Sequence, residues 1–249
     1  MTARVGLIIP SSNRMVEQEM VRAFPPGVQA HIARLRMTGP HHVPLDHLLP
    51  RIAEATAILL DAKCEVIAFH CTATSMEEGS GGEARIVAAM GEAGAARAFS
   101  TASSIIHAFD ALNARRIVLL TPYDAKTTDD EVGFLRAAGR EVVHARGFAL
   151  DGSDAYCATP AEFWRDRAIA AARADADAIF ISCANIATFA VIEDIERATA
   201  RPVVTSNQAV VWDALRHLNW PDRNGCPGRL FDDATNPYPP LEGEGRRES

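Results

Sequence analysis

Short, continuously apolar runs alternate along the chain with longer stretches in which apolar residues recur every three to four positions. The runs at 5–10, 66–69, 117–120 and 178–181 are apolar throughout, as strands covered on both faces of a parallel sheet must be. Weaker strand patterns occupy 28–35 and 141–149. Helical spacing is clearest over 46–60, where Leu48, Leu49, Ile52, Ala55, Ile58 and Leu59 form one stripe. Further helices are predicted over 83–94, 101–112, 129–138, 160–174, 189–198 and 207–218. This alternation specifies an α/β fold with largely parallel sheets flanked by helices. From Pro221 on, proline, glycine and charge replace apolar residues. Too little apolar surface remains there to offset ordering entropy, so residues 221–249 are expected to form a loose tail.

Part of the pattern occurs twice. Residues 4–10 match 116–122, and 66–71 match 178–183, both at an offset of 112 (122 − 10 and 183 − 71). Farther on, Phe109-Asp110-Ala111-Leu112 is echoed by Trp212-Asp213-Ala214-Leu215 at an offset of 103 (213 − 110). Two strands and a helix recurring in order point to a duplication. The expected molecule is two pseudo-symmetric lobes, residues 1–112 and 113–220. A ligand cleft would lie between them, facing the carboxyl ends of the strands.

Composition narrows the function. A chain of 249 residues with 48% hydrophobic residues can bury a substantial core. Its formal net charge of −7 argues against a nucleic-acid partner. No run of about 18 apolar residues exists to span a membrane. The first residues lead straight into a strand with no signal-peptide pattern, so a soluble cytoplasmic protein is expected. Five cysteines, an odd number without CxxC spacing, disfavour both a disulfide framework and a zinc site.

The duplication makes Cys71 and Cys183 equivalent, each just past the end of a buried strand. Cys71 is followed by Thr72-Ala73-Thr74-Ser75 and Cys183 by Ala184-Asn185-Ile186-Ala187-Thr188. Such turns usually open a helix, whose free N–H groups stabilise a thiolate or bind a carboxylate. Two thiols facing one cleft can act as acid and base on opposite faces of a carbon, or as nucleophile and proton carrier. Cysteine is also an ordinary core residue. That explanation suffices for Cys64, Cys157 in a polar loop, and Cys226 in the tail, but it is weaker for a symmetric pair. Ser11, Ser12 and Asn13 end the first strand, where they can hold a carboxylate or cap the helix ahead of Val16-Glu17-Gln18-Glu19. Tyr123, at the matching place in the second half, can point its phenol into the cleft or be a half-buried tyrosine with a wet tip. His41, His42, His47 and His70 fit no metal-ligand spacing. His70 alternates to the far face of its strand from Cys71. Gly79-Ser80-Gly81-Gly82 lacks a phosphate-loop lysine and reads as a mobile connection placed to serve as a lid.

These residues resemble the aspartate/glutamate racemase superfamily, within it the maleate cis–trans isomerase and arylmalonate decarboxylase branch. The resemblance covers about residues 4–220. It is carried by Gly6-Leu7-Ile8-Ile9-Pro10-Ser11-Ser12-Asn13 with Glu17, by Cys71-Thr72-Ala73-Thr74-Ser75, by Leu120-Thr121-Pro122-Tyr123 and by Ile181-Ser182-Cys183-Ala184-Asn185. It implies no cofactor, no metal and a substrate carboxylate held between the lobes. Decarboxylases of the branch keep only the second-half cysteine, so Cys71 favours an isomerase. By similarity, Cys71 would add to the maleate double bond and Cys183 would donate and remove the proton. Ser11, Asn13, Thr72, Ala73, Tyr123 and Ala184 would bind the substrate. Two departures stand out. Residues 151–158 hold no asparagine where the branch carries one, and Ala184 and Ala187 replace Thr and Arg.

The expected function is therefore a cofactor-independent cysteine isomerase of a small carboxylate or dicarboxylate, with maleate the leading substrate. The alternatives are a two-thiol racemase of an amino acid or hydantoin-type compound, an arylmalonate-type decarboxylase, and a non-catalytic carboxylate-binding protein. No nucleic acid and no membrane are expected as partners, and a homo-oligomer stays open.

Overall fold

The computed structural model describes residues 2–37, 43–221 and 226–232. The first half runs β1 (Ala3–Pro10), α1 (Val16–Ala23), β2 (Val28–Leu35), α2 (Leu45–Asp61), β3 (Val66–Phe69), α3 (Thr72–Glu77), α4 (Gly79–Glu92), β4 (Ala98–Ser100) and α5 (Thr101–Ala111). The second runs β5 (Arg116–Thr121), α6 (Ala125–Ala137), β6 (Glu141–Gly147), α7 (Gly152–Ala158), α8 (Ala161–Ala171), β7 (Ala178–Ile181), α9 (Ile192–Thr199), β8 (Val203–Thr205) and α10 (Ser206–His217). Each half forms a parallel four-stranded sheet, in the orders β2-β1-β3-β4 and β6-β5-β7-β8. In both, the chain winds outward in opposite directions from the central pair, β1 with β3 and β5 with β7. The loops leaving those strands part at this switch point and open a crevice at their carboxyl ends.

Alternation along the central strands divides the apolar side chains between two faces. Val5, Leu7 and Ile9 of β1 point into a core shared by both halves, while Ile8 points into a first-lobe core with Ile52, Leu59 and Ile67. The shared core also takes Ile105 and Phe109 of α5, Ile117 and Leu119 of β5, and Val210, Trp212 and Leu215 of α10. α5 and α10 pack against each other between the sheets, and Phe109 meets Phe180 of β7 edge-on, ring centres 5.8 Å apart. The outer face of the second sheet closes over Trp164, Ile179 and Ile195. The lobes are therefore joined by a common apolar layer. No helix among the described residues is long and apolar enough to cross a membrane.

Several expectations need correction. Residues 79–82 are no mobile lid: they form the first turn of α4, and Gly79, at φ 68°, makes the break from α3. Residues 152–158 form α7, with Tyr156 buried, so Cys157 lies on a helix instead of a polar loop. α6 starts at Ala125, four residues before the apolar spacing begins, because Asp124 accepts the Thr127 N–H as its cap. The stretch at 189–198 opens as a 3-10 turn, Phe189–Val191, before α9. β4 and β8 are only three residues long, too short to show a period. They and the caps of α5 and α10 relate at 105 (203 − 98, 205 − 100), so the echo at 103 is two residues out of register. Within the expected tail, residues 226–232 are packed. Gly228 sits at φ 92°, where a Cβ would lie 2.6 Å from Ile192, and Leu230 and Phe231 are buried in the shared core. Residues 222–225 and 233–249 of that segment, like His41 and His42, lie outside the described residues.

Candidate active site

Cys71 stands at the N-cap of α3, two residues beyond β3. Its thiol donates to the Thr74 hydroxyl at 3.2 Å, and its sulfur also faces the Thr74 N–H, a donor from the first turn of α3. His70 turns to the opposite side, fully buried, with Nδ1 2.9 Å from the Thr101 hydroxyl and Nε2 2.9 Å from the Asn207 side-chain oxygen. Burial holds its pKa down to about 4, so it is a neutral imidazole and forms no ion pair with Cys71.

Cys183 follows β7 in the equivalent place, but no helix begins there. The chain turns through Ala184–Thr188 first, which corrects the expectation of a helix at both thiols. Instead, Cys183 takes φ 127°, a region that costs a non-glycine residue about 1–3 kcal/mol. Its N–H donates to Ser206 Oγ at 3.1 Å, and its sulfur accepts the Asn185 N–H at 3.3 Å and the Tyr123 hydroxyl.

Both thiols line one pocket between the lobes, with Pro10, Ser12, Asn13, Thr72, Tyr123, Ser153, Tyr156, Ala184 and Asn185. Among these lining residues there is no cationic side chain. Asn13 serves two purposes. Its Oδ1 accepts the N–H groups of Met15 and Val16 ahead of α1, and its Nδ2 donates to Ala184 O at 2.9 Å, across the lobes. One Nδ2 hydrogen remains for a ligand. Tyr123 is buried against Cys183 and meets Tyr156 edge-on, ring centres 5.8 Å apart.

Of the residues singled out in the sequence, Cys71, Cys183, Asn13, Thr72, Tyr123 and Ala184 converge on the pocket, while Ser11 and Ala73 do not line it. Ser11 is exposed and exchanges hydrogen bonds with the Met37 backbone at the end of β2. Ala73 packs into the second-lobe core. Ser12, named in the sequence with Ser11 and Asn13 as a carboxylate or cap candidate, also lines the pocket, whereas Ser153, Tyr156 and Asn185 were not singled out. α7 supplies Ser153 and Tyr156 at the segment that lacks asparagine, and Ser153 Oγ meets Ser12 Oγ at 3.0 Å across the mouth. Their signal was the helical spacing of 152–158, hidden by its polar composition. Cys157, on the same helix, has its Sγ 3.1 Å from Asn185 Oδ1. Cys64 is buried in the first-lobe core, and Cys226 lies against Ala23 O at 3.3 Å.

Electrostatically the site is a buried pocket lined by uncharged side chains. Burial raises the Cys71 pKa against the opposing Thr74 contacts. Burial pushes Cys183 up to about 12 against the Tyr123 hydroxyl and the Asn185 N–H. Tyr123 is driven well above the ordinary phenol value, by burial first and by Cys183 second. Desolvation thus outweighs the local donors, and Cys183 is a protonated thiol at neutral pH. Behind both thiols lies Glu131 of α6, wholly buried, its Oε1 accepting the Ser182 hydroxyl at 2.8 Å. Its Oε2 has no partner among the described residues, and burial lifts its pKa to about 8. Among the described residues, no group of three or more His, Cys, Asp or Glu could hold a metal ion.

Comparison with known proteins agrees with this geometry. The arylmalonate decarboxylase family profile matches residues 5–231. The maleate isomerase of Nocardia farcinica (strain IFM 10152) is 31% identical over 246 residues, covering 92% of this chain and 95% of its own. The arylmalonate decarboxylase of Bordetella bronchiseptica is 25% identical over 239 residues, covering 94% and 98%. Among solved structures, a Pseudomonas putida S16 maleate isomerase variant with maleate superposes with TM-score 0.83 at 27% identity, covering 93% of this chain and 98% of its own. A Nocardia farcinica maleate cis–trans isomerase variant with a covalently bound succinylcysteine intermediate gives 0.84 at 28%, with the same coverage. A match across nearly the whole described chain, on the same fold, makes this protein a member of the arylmalonate decarboxylase family.

Proposed function

We propose that this protein is a cofactor-independent cysteine isomerase of a small dicarboxylate, converting maleate to fumarate. The carrying observation is that two thiols on equivalent strand ends line one pocket whose other polar groups are neutral donors. A thiolate is a soft nucleophile suited to conjugate addition. Cys71 first releases its proton to solvent, leaving a thiolate that the Thr74 hydroxyl and N–H stabilise. Its Sγ forms a bond to one alkene carbon as the electron pair moves to the other carbon and its carboxylate. Cys183, held protonated by burial, delivers its proton to that carbon, leaving a succinyl thioether. Rotation about the former double bond, now single, brings the carboxylates trans. Cys183 then takes a proton back, the C–S bond breaks, and fumarate leaves with Cys71 again a thiolate.

The enediolate-like charge falls where the remaining Asn13 Nδ2 hydrogen can receive it, while the Tyr123 phenol and the Asn185 N–H steady the Cys183 thiolate left by the proton transfer. Ser12, Ser153 and Tyr156 stand at the end of the pocket to meet the second carboxylate. Relatives acting on maleate, one of them carrying a succinylcysteine, support the reading. Incubation with maleate, followed by proton NMR, tests it: fumarate is expected, and its absence overturns the maleate assignment. The symmetric thiol pair also suits a two-base racemase. In deuterated solvent that reading predicts label at a stereocentre of an amino acid or hydantoin without net conversion.

A further inference from the structure

We infer that Ser206 and Asn207, the first two residues of α10, are positioning residues that hold the Cys71 and Cys183 turns at a working separation by binding both from one helix end. Ser206 Oγ accepts the Thr72 hydroxyl at 2.8 Å and the Cys183 N–H at 3.1 Å. One oxygen therefore joins the residue after the first thiol to the backbone of the second. Asn207 does the same on the other side. Its Oδ1, which only accepts, takes the His70 Nε2–H at 2.9 Å, immediately before Cys71. Its Nδ2 donates to Glu19 Oε2 at 3.0 Å. The Glu19 carboxylate in turn accepts the N–H groups of Thr188 and Phe189, where the turn from Cys183 ends. The orientation of the amide follows from these partners, since a carboxylate ringed by N–H donors has to face the NH2.

Three further observations assign the pair to positioning. Ser206 and Asn207 are 0% and 1% exposed, as are His70 and Thr72, so their polar groups depend on partners within the protein. Cys183 carries the unfavourable φ of 127° at the residue whose N–H Ser206 receives. Moreover, the duplication is broken here. Thr101, the first residue of α5, matches Ser206 (206 − 101 = 105) yet bonds only within its own lobe, to His70 and Phe69 O. At the place of Asn207 the first half has Ala102, which has no polar group to offer. Of these two helix starts, that of α10 is the one that bonds to both thiol turns among the described residues.

The inference rests on the reading of the two thiols as one reaction centre, and the first of its two readouts is independent of substrate. Dibromobimane becomes fluorescent when it bridges two thiols. With the full-length protein it is expected to link Cys71 to Cys183, as peptide mapping identifies. Ser206→Ala and Asn207→Ala should lower the linking rate and kcat together by about 10- to 100-fold while KM moves far less. Ser206→Thr, which keeps the hydroxyl, should restore both. Wild-type linking and kcat in folded Ser206→Ala would overturn the inference, as would a native protein whose two thiols cannot be bridged. Should Ser206→Ala not fold, Asn207→Ala and Ser206→Thr decide by the same two readouts. If the native protein links but leaves maleate untouched, the maleate reading fails and the linking rates still judge the positioning.

Discussion

At the level of single residues, burial governs the chemistry more than local donors do. The cap of α3 and the Tyr123 phenol both favour thiolates, yet both thiols are raised above the ordinary value because they are buried. The division of labour gives the first prediction. Cys183→Ser should lower kcat by about 10²- to 10⁴-fold while Cys71 still takes up one maleate, seen by intact mass. Cys71→Ala should show neither turnover nor adduct. Glu131 gives the second. Its folded pKa of about 8 lies above the ordinary 4.5, so the folded state binds this proton more tightly than the unfolded chain. The resulting stability is complete below 4.5 and is lost as pH rises through 8. Glu131→Gln should therefore match the native protein near pH 4.5 and exceed it above pH 8 by roughly 2–5 kcal/mol in urea titrations. Equal stability at both pH values would refute the assignment of a neutral buried acid. The thiols were legible because the repeat paired them; Glu131 was not, since nothing in Asp129-Asp130-Glu131 separates the buried carboxyl from its exposed neighbours.

At the level of elements, the long apolar strands and amphipathic helices announced themselves, and those of three residues or of polar composition did not. β3 and β7 match their apolar runs end to end. β4 and β8 exist because sheet edges were open beside them, a cause that lies outside their own residues. α10 carries a capping box in which Thr205 accepts the Gln208 N–H and Gln208 returns a bond to the Thr205 backbone. Thr205→Ala should cost about 0.5–2 kcal/mol in denaturant unfolding. The segment read from composition as loose gives a sharper test. Leu230 is 1% exposed, so Leu230→Ala should destabilise by about 2–5 kcal/mol. A truly loose segment would show no change.

At the level of the whole molecule, duplication produced two sheets but not two independent cores. α5 and α10 fill the space between them, and the largest apolar cluster takes side chains from both halves. Trp212 reports on that shared layer and Trp164 on the second lobe alone. Their fluorescence and the far-UV circular dichroism should change in one coincident transition; separate midpoints would mean the lobes unfold independently. The same layer explains what could be read from residues in order and what could not. Periodicity and repetition are local properties, so they disclosed the strands, the two halves and the matched thiols. They could not disclose that Ser11 turns away while Ser12 faces inward, or that α7 lines the pocket. Nor could they show that α10 ties both thiol turns together. The last two depend on atoms more than a hundred positions apart meeting across a cleft, which only close packing of the two lobes brings within reach, and the first depends on β2 lying beside β1.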